Sequence, residues 1–270
     1  MTHTSIPERP TSAGMYDYYL GGAAHTPIDR AAAEQIVQLI PAVQDGAWAN
    51  RGFLQRAVRR LASEYGIRQF LDLGSGLPTQ RNTHDVVAES VPDGRVVYVD
   101  VDPAVVAQAA DLLDGVPTAT AVQADVRDPA AILDHPETRR LIDFSQPVGV
   151  LLVAVLHFVD DDDDPWGLVA RYLAAVPAGS YLALSHSAVG DRLSDQVRDL
   201  SEQVYRNTAH PPTDRSKTEI EQFFRGLALV PPHPGAPPAV TFVGLWGAED
   251  LPAADSDGAR MGYAGVARKP

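Results

Sequence analysis

The stretch Phe70-Leu71-Asp72-Leu73-Gly74-Ser75-Gly76 constrains this chain more than any other. Phe70, Leu71 and Leu73 read as a short buried strand, and Gly74 and Gly76 as a tight turn that brings backbone close to whatever lies beyond it. Asp72 breaks the apolar run. A carboxylate buried there is costly unless a cation or hydrogen-bond donors meet it. Strand, glycine turn and acid together predict the first strand of an open α/β sheet with a polar, partly positive ligand at its carboxyl end.

A dinucleotide fits this stretch poorly. Its fingerprint needs a third glycine, and the chain has Thr79 there, after Pro78. S-adenosylmethionine fits better, because its amino group suits an acid placed before the turn. Further acids follow at predicted strand ends. Residues 95–100 form a β-branched strand ending in Asp100, which is placed to bind a ribose diol. Asp102, ahead of Pro103, is the better helix cap and leaves Asp100 free. Residues 118–124 form a third strand, and Asp125 beyond it can accept from an adenine amino group. Residues 148–155 are the most apolar strand, as a strand covered on both faces should be. Residues 180–186 form a fifth. His157 and His186 stand at the tips of these last two.

The chain ahead of the sheet is expected to be helical. Residues 1–12 read as a mobile tail, followed by Tyr16, Tyr18 and Tyr19 before Gly21-Gly22. That segment is either core packing or a lid that places tyrosine hydroxyls over a pocket. Thr26-Pro27 starts a helix that Pro41 ends, and a second runs over residues 45–65. Arg51 falls on the apolar stripe of this second helix, which suits either a snorkelling side chain or a partner for a ligand carboxylate. Arg56, Arg59 and Arg60 fall off it and read as a solvated face. After the fifth strand come helices over 191–206 and 218–225. The strands 227–230, 240–246 and 263–267 follow, the last two as an antiparallel pair. The aspartates at 160–164 read as a solvated helix start rather than a metal site.

Composition narrows the function classes. The chain has 270 residues, 45% hydrophobic and 21% charged, enough for one large core with appendages. It has no cysteine, hence no disulfide, thiolate nucleophile or thiolate metal site. There is no apolar run of about 18 residues or more and no signal-peptide pattern at the start, so a cytoplasmic protein without a membrane partner is expected. A net charge of −13 disfavours non-specific nucleic-acid binding.

The strand–helix order, with acids at three strand ends, resembles the class I S-adenosylmethionine-dependent methyltransferases. Residues 15–22, 70–79 and 151–158 together resemble an actinobacterial methyltransferase family formerly known only as a domain of unknown function, over nearly the whole chain. The Ala23-Ala24-His25 stretch is less like that family. The resemblance implies a Rossmann-like, mostly parallel seven-stranded sheet with helices on both faces and an antiparallel C-terminal pair. A helical cap (residues 1–66) would precede the cofactor-binding core (67–270). It implies that Gly74 and Gly76 pack on the methionine moiety, that Asp100 binds the ribose and that Asp125 faces the adenine. Asp72, Ser75, Val101, Val126, Leu156, Tyr16 and Arg51 complete the expected cofactor wall. His157, Tyr19 and His186 are the expected catalytic residues, with His157 as general base. The expected reaction is methyl transfer to a small molecule, leaving S-adenosylhomocysteine. A cofactor-sensing protein, a nucleic-acid methyltransferase and a nicotinamide dehydrogenase are the alternatives. Amino-group methylation of a base goes with an acidic-or-Asn-Pro-Pro-aromatic motif after strand four, where this chain has Leu156-His157-Phe158. The acceptor and the oligomeric state are not legible.

Overall fold

The computed structural model describes residues 9–78, 81–188, 193–208 and 210–270. Expectations placed on residues 1–8, Thr79 and 191–192 lie outside them. Three helices come first: α1 (Ser12–Tyr19), α2 (Pro27–Leu39) and α3 (Val43–Ser63). The sheet begins with β1 (Gln69–Leu73) and alternates with helices through α4 (Thr83–Ser90), β2 (Arg95–Asp100), α5 (Pro103–Leu112) and β3 (Ala119–Gln123). Two short helices, α6 (Pro129–Leu133) and α7 (Pro136–Leu141), precede β4 (Gly149–Val153). Then come α8 (Pro165–Ala175), β5 (Tyr181–Ser187), α9 (Asp195–Tyr205) and α10 (Lys217–Gln222). The chain closes with β6 (Ala228–Leu229), β7 (Thr241–Phe242), α11 (Leu251–Ala254) and β8 (Gly262–Arg268).

The strand order is β3-β2-β1-β4-β5-β8-β6, with β7 also paired to β8. The pairs among β1 to β5 are parallel, and β5 meets β8 antiparallel. This is a Rossmann-like arrangement with antiparallel C-terminal strands. Seven strand positions were expected, and eight strands fill them. β6 meets the last residues of β8, and β7 meets Tyr263 and Ala264, so both share the outer edge of β8. The strand expected over 240–246 shrinks to two residues because the chain turns after Phe242 and buries Trp246 against Phe53 of α3.

Alternation along each strand divides the core. Leu71, Leu73, Val150, Leu152, Leu182 and Leu184 face α6, α7, α8 and α10. Phe70, Leu151, Tyr181 and Ala183 face α3 and α4. This two-residue period directs the polar side chains as well. Asp72 shares a face with Phe70, and Ser185 with Ala183, so both point toward α3. His186 shares a face with Leu184 and points toward α10.

The helices before the sheet are lashed together. The Asp29 carboxylate accepts from the backbone N–H of Thr11 (2.6 Å) and of Thr26 (2.9 Å), which joins the caps of α1 and α2. Met15, Tyr19 and Leu20 bury against Ile36 and Ala47. The solvated face expected for Arg56 and Arg60 is a contact face instead. Arg56 donates to the carbonyls of Trp246, Val243 and Gly244, and Arg60 to that of Pro231, because the C-terminal loops cross α3.

Candidate active site

Two adjoining cavities lie at the carboxyl ends of the parallel strands. The first, about 370 Å³, is lined by the glycine turn, Asp72, Arg51, Asp100, Val101, Asp125 and Val126. The switch in strand order falls between β1 and β4, where ligands of such sheets bind. Gly74 and Gly76 both have positive φ, +70° and +64°, and the N–H groups of Gly74 and Ser75 donate to Val99 O. A Cβ on Gly74 would stand 2.3 Å from Val155 Cγ2, so this cradle depends on glycine.

Asp72 is buried and accepts from Thr83 Oγ1 at 2.6 Å. Burial pushes its carboxyl up to about 6, against the opposing pull of Arg51. Among the described residues no cation comes within salt-bridge distance of it. Arg51 is buried too, and its Nε has no hydrogen-bond partner. One cavity thus holds a carboxylate without a cation and a guanidinium without an anion. An α-amino acid end supplies both missing charges, so these residues fit the methionine part of S-adenosylmethionine.

Asp100 closes the turn onto β2. Its Oδ2 accepts from Gly76 N at 2.9 Å and its Oδ1 from Asp102 N at 3.0 Å. Each oxygen keeps a lone pair for a diol, and burial raises its pKa. Asp102 caps α5 through Ala104 N. Asp125 differs from the free acceptor expected. Arg127, two residues on, grips it through Nε (3.0 Å) and Nη2 (2.6 Å) and holds its carboxyl below the usual range. Val101 is 47% exposed at the rim, and the Val126 carbonyl is fixed by the Tyr172 hydroxyl at 2.7 Å. Leu156 is not on either cavity wall. Ala154, at the tip of β4, has φ +55°, and the 3₁₀ turn that follows sinks Leu156 into the core while His157 and Phe158 face the cavities.

The second cavity, about 440 Å³, is lined by apolar groups that include Met15, Val43, Val243 and Met261, together with Tyr19, His157 and His186. Ser12, Tyr16, Asn50, Ala154 and Phe158 line both cavities and form the partition between them. Hydrogen bonds fix this partition in one direction. Ala154 N donates to Ser185 Oγ (3.0 Å), and Ser185 Oγ to Asn50 Oδ1 (2.5 Å). Asn50 Nδ2 then donates to Tyr16 Oη (2.8 Å), and Tyr16 to Ala47 O (3.1 Å).

His186 is fully engaged. Arg215 Nη1 donates to its Nε2 at 3.0 Å, so the proton sits on Nδ1, which donates to Ser187 O at 2.6 Å. Burial pushes its pKa down to about 4. A base needs an open lone pair, and this ring has none. The His157 ring lines the second cavity, tilted at 56° to Phe158 with 4.2 Å between ring centroids, and burial, His186 and Arg215 all hold it neutral. Its Nδ1 accepts from Ser187 N at 3.5 Å, a long bond, which leaves the proton on Nε2. In that tautomer the N–H of His157 is on Nε2. Tyr19 is buried on the wall with its hydroxyl against that of Tyr205, and burial raises its pKa.

Three participants were missed. Asn50 lies three residues after Ala47 and four before Leu54 on the apolar stripe of α3, so a polar residue on that stripe was the available signal. Ser185 carried a weaker one, as a hydroxyl inside an apolar strand. Arg215, with a side chain 1% exposed, carried none, because its partners lie about 30 to 60 residues away. It donates to the carbonyls of Leu156 (2.9 Å) and Val159 (2.7 Å) and to Asp161 (2.7 Å). Among the described residues no cluster of potential ligands could hold a metal, and no helix is long and apolar enough to cross a membrane.

Comparison with known proteins accords with this cavity. A family described as S-adenosyl methyltransferase matches residues 3–270. A DUF574 family protein from Streptomyces avermitilis is 40% identical over 97% of this chain and 98% of its own, with TM-score 0.88. A candidate methyltransferase from Thermobifida fusca is 40% identical over 97% of this chain and 95% of its own, with TM-score 0.87. A mitomycin 7-O-methyltransferase, 17% identical over 98% of this chain and 74% of its own, shares the fold with TM-score 0.50. No curated protein matches the chain. The glycine cradle and the unpaired Asp72 and Arg51 thus sit in a chain that belongs to the S-adenosyl methyltransferase family, S-adenosylmethionine-dependent enzymes of Rossmann-like fold.

Proposed function

We propose that this enzyme methylates a small molecule held in the second cavity, across the Asn50–Tyr16 partition from the cofactor. Arg51 takes the methionine carboxylate, Asp72 the ammonium and Asp100 the ribose diol, while Gly74, Ser75 and Gly76 pack on the methionine chain. Val101 and Val126 flank the adenine. Bound there, S-adenosylmethionine supplies an activated methyl group on a sulfonium. The residues of this chain supply position: two rigid walls that hold an acceptor in line, which can account for much of the acceleration in a displacement.

One observation carries this reading. A mostly apolar cavity of about 440 Å³ shares five wall residues with the cavity that holds the unpaired Asp72 and Arg51. Its size is that of a small-molecule site. The chain's net charge of −13 gives no support to a nucleic-acid acceptor. The test is incubation of the purified protein with methyl-labelled S-adenosylmethionine and a metabolite extract. Label should appear in a low-mass product with equimolar S-adenosylhomocysteine. Label found only in nucleic acid or protein would refute the small-molecule reading.

A further inference from the structure

We propose that the acceptor atom is an anionic oxygen, that of a phenol, enol or carboxylic acid, recognised by N–H groups of His157 and Asn50 rather than taken up as an amine. The proposal rests on the second cavity being the acceptor site, and it follows from counting which hydrogen-bonding groups are already used.

Two hydrogen-bond chains end at the cavity wall, and both run in the same sense. In the first, Ala154 N–H donates to Ser185, Ser185 to Asn50 Oδ1, Asn50 Nδ2 to Tyr16, and Tyr16 to the carbonyl of Ala47. The backbone at each end fixes the direction, because an N–H can only donate and a carbonyl only accept. Asn50 Oδ1 therefore accepts from Ser185 and keeps one lone pair, and the amide retains a second Nδ2–H for which there is no partner among the described residues. In the second chain, Arg215 donates to His186 Nε2, His186 Nδ1–H to Ser187 O, and Ser187 N–H to His157 Nδ1. Arginine can only donate, which fixes the His186 tautomer, and the backbone N–H of Ser187 can only donate, which leaves the proton of a neutral His157 on Nε2.

What the cavity offers an incoming ligand is lopsided. Two N–H groups can only donate. The buried Ser12 hydroxyl, without a partner, can do either, and so can the Tyr19 hydroxyl beside that of Tyr205. Among the described residues no buried carboxylate lines the cavity, since Glu202 and Asp214 on its wall are exposed. An amine acceptor needs acceptors to orient its own N–H bonds, and the carboxylates on the described wall that could serve, Glu202 and Asp214, are exposed. An oxygen anion needs donors. The positive sulfonium expected across the partition also favours negative charge there, whereas the charge of Arg215, behind the two histidines, is met by Asp161 at 2.7 Å.

The reaction balances without a base from the protein. The acceptor sheds its proton to water before it binds. Its oxygen then forms a bond to the methyl carbon as the carbon–sulfur bond breaks, and the bonding pair stays on sulfur. Anion and cation become a neutral ether or ester and a neutral thioether.

The test uses the full-length protein saturated with sinefungin, a cofactor analogue with a positive charge near the sulfonium position. Three flat probes of one size are titrated against this complex: 6-hydroxyquinoline, quinoline-6-carboxylate and 6-aminoquinoline. One or both oxygen probes should bind roughly ten- to a hundredfold more tightly than the amine, the scale of a hydrogen bond to a charged group. The hydroxyl and carboxylate arms separate a phenolic acceptor from a carboxylic one. His157→Phe, which keeps a flat ring and loses the N–H, should erase the preference, and His157→Gln, which keeps an N–H, should retain it. Equal or tighter binding of the amine overturns the proposal, and so does failure of both oxygen probes to bind. A preference that survives in His157→Phe overturns the role of His157. Failure of sinefungin itself to bind would refute the cofactor-site reading, and this proposal with it.

Discussion

Asp72 gives the sharpest test of the cofactor site, because its two effects have opposite signs. Its folded pKa, about 6, lies above the ordinary value of 3.8, with burial the main cause. Ionised, it therefore costs folding stability. That cost is absent below the unfolded pKa and grows as pH rises through the folded one, to about 3 kcal/mol for a shift of this size. The cofactor ammonium needs the ionised form. With a free pKa of about 6, about nine-tenths of the protein is ionised near pH 7 and about a tenth near pH 5. Affinity should fall about tenfold between those values, about 1.4 kcal/mol, with proton uptake on binding of roughly zero near pH 7 and proton release near pH 5. Arg51, Asp100, Tyr98 and Thr83 face this carboxyl, and Asp100 has a raised pKa of its own. Only the variant assigns the proton. Asp72→Asn keeps the Thr83 hydrogen bond and should raise the thermal midpoint of the cofactor-free protein near neutral pH. It should weaken S-adenosylmethionine by roughly 1.5–3 kcal/mol and flatten the pH dependence. Calorimetry at several pH values, with thermal melts of the same samples, reads all three. A variant that binds as tightly as wild type, or that keeps the acid-side loss of affinity, refutes the argument.

Arg51→Met should weaken S-adenosylhomocysteine by roughly 1.5–3 kcal/mol and leave 5′-methylthioadenosine, which lacks the amino-acid end, unaffected; equal losses for both ligands would remove Arg51 from the carboxylate. Gly74→Ala places a Cβ 2.3 Å from Val155 Cγ2 at φ +70°, so it should cost about 1–3 kcal/mol in a denaturant melt and abolish cofactor binding, with only part of the loss restored by Val155→Ala. Asp29→Ala unties α1 from α2, so proteolysis near residues 9–22 should quicken and cofactor affinity fall; an unchanged cleavage rate would show that the tie is not what holds α1 over the cavities. Arg215→Leu removes the donor to His186 and the strap on the 3₁₀ turn, so the His186 imidazole resonances should titrate nearer their ordinary pH in NMR.

How much of this site could be seen in the sequence depends on whether its signal was local. Asp72 and the glycine turn are contiguous, and a charge inside an apolar run reveals itself. The Arg51 stripe and the period-two strands are local in the same sense, and they led to the cofactor cavity. Asp125 lines that cavity too, but its partner Arg127 reads in sequence as an ordinary loop charge, and only the fold bends that guanidinium back onto the carboxylate. The arginine face of α3 misled for a related reason. Periodicity shows which residues leave the helix stripe, but not that residues 231 and 243–246 return to cover them.

The histidines illustrate the deepest limit. Both were placed at strand tips by pattern alone, and both line the second cavity. Whether such a ring takes or gives a proton depends on which of its nitrogens is already bonded. For His186 that is decided by Arg215, 29 positions away, and for His157 by a backbone amide of β5, 30 positions away. Strand alternation sets the second link. Because His186 and Ser185 leave β5 on opposite faces, one is driven toward Arg215 and the other toward Asn50. Two adjacent residues of one strand thereby belong to separate hydrogen-bond chains on the two sides of the sheet. Moving β5 by one register would exchange these partners and leave both chains without their donors. The polarity of the second cavity is in this sense a property of strand register, and residue identities at the strand tips do not determine it by themselves.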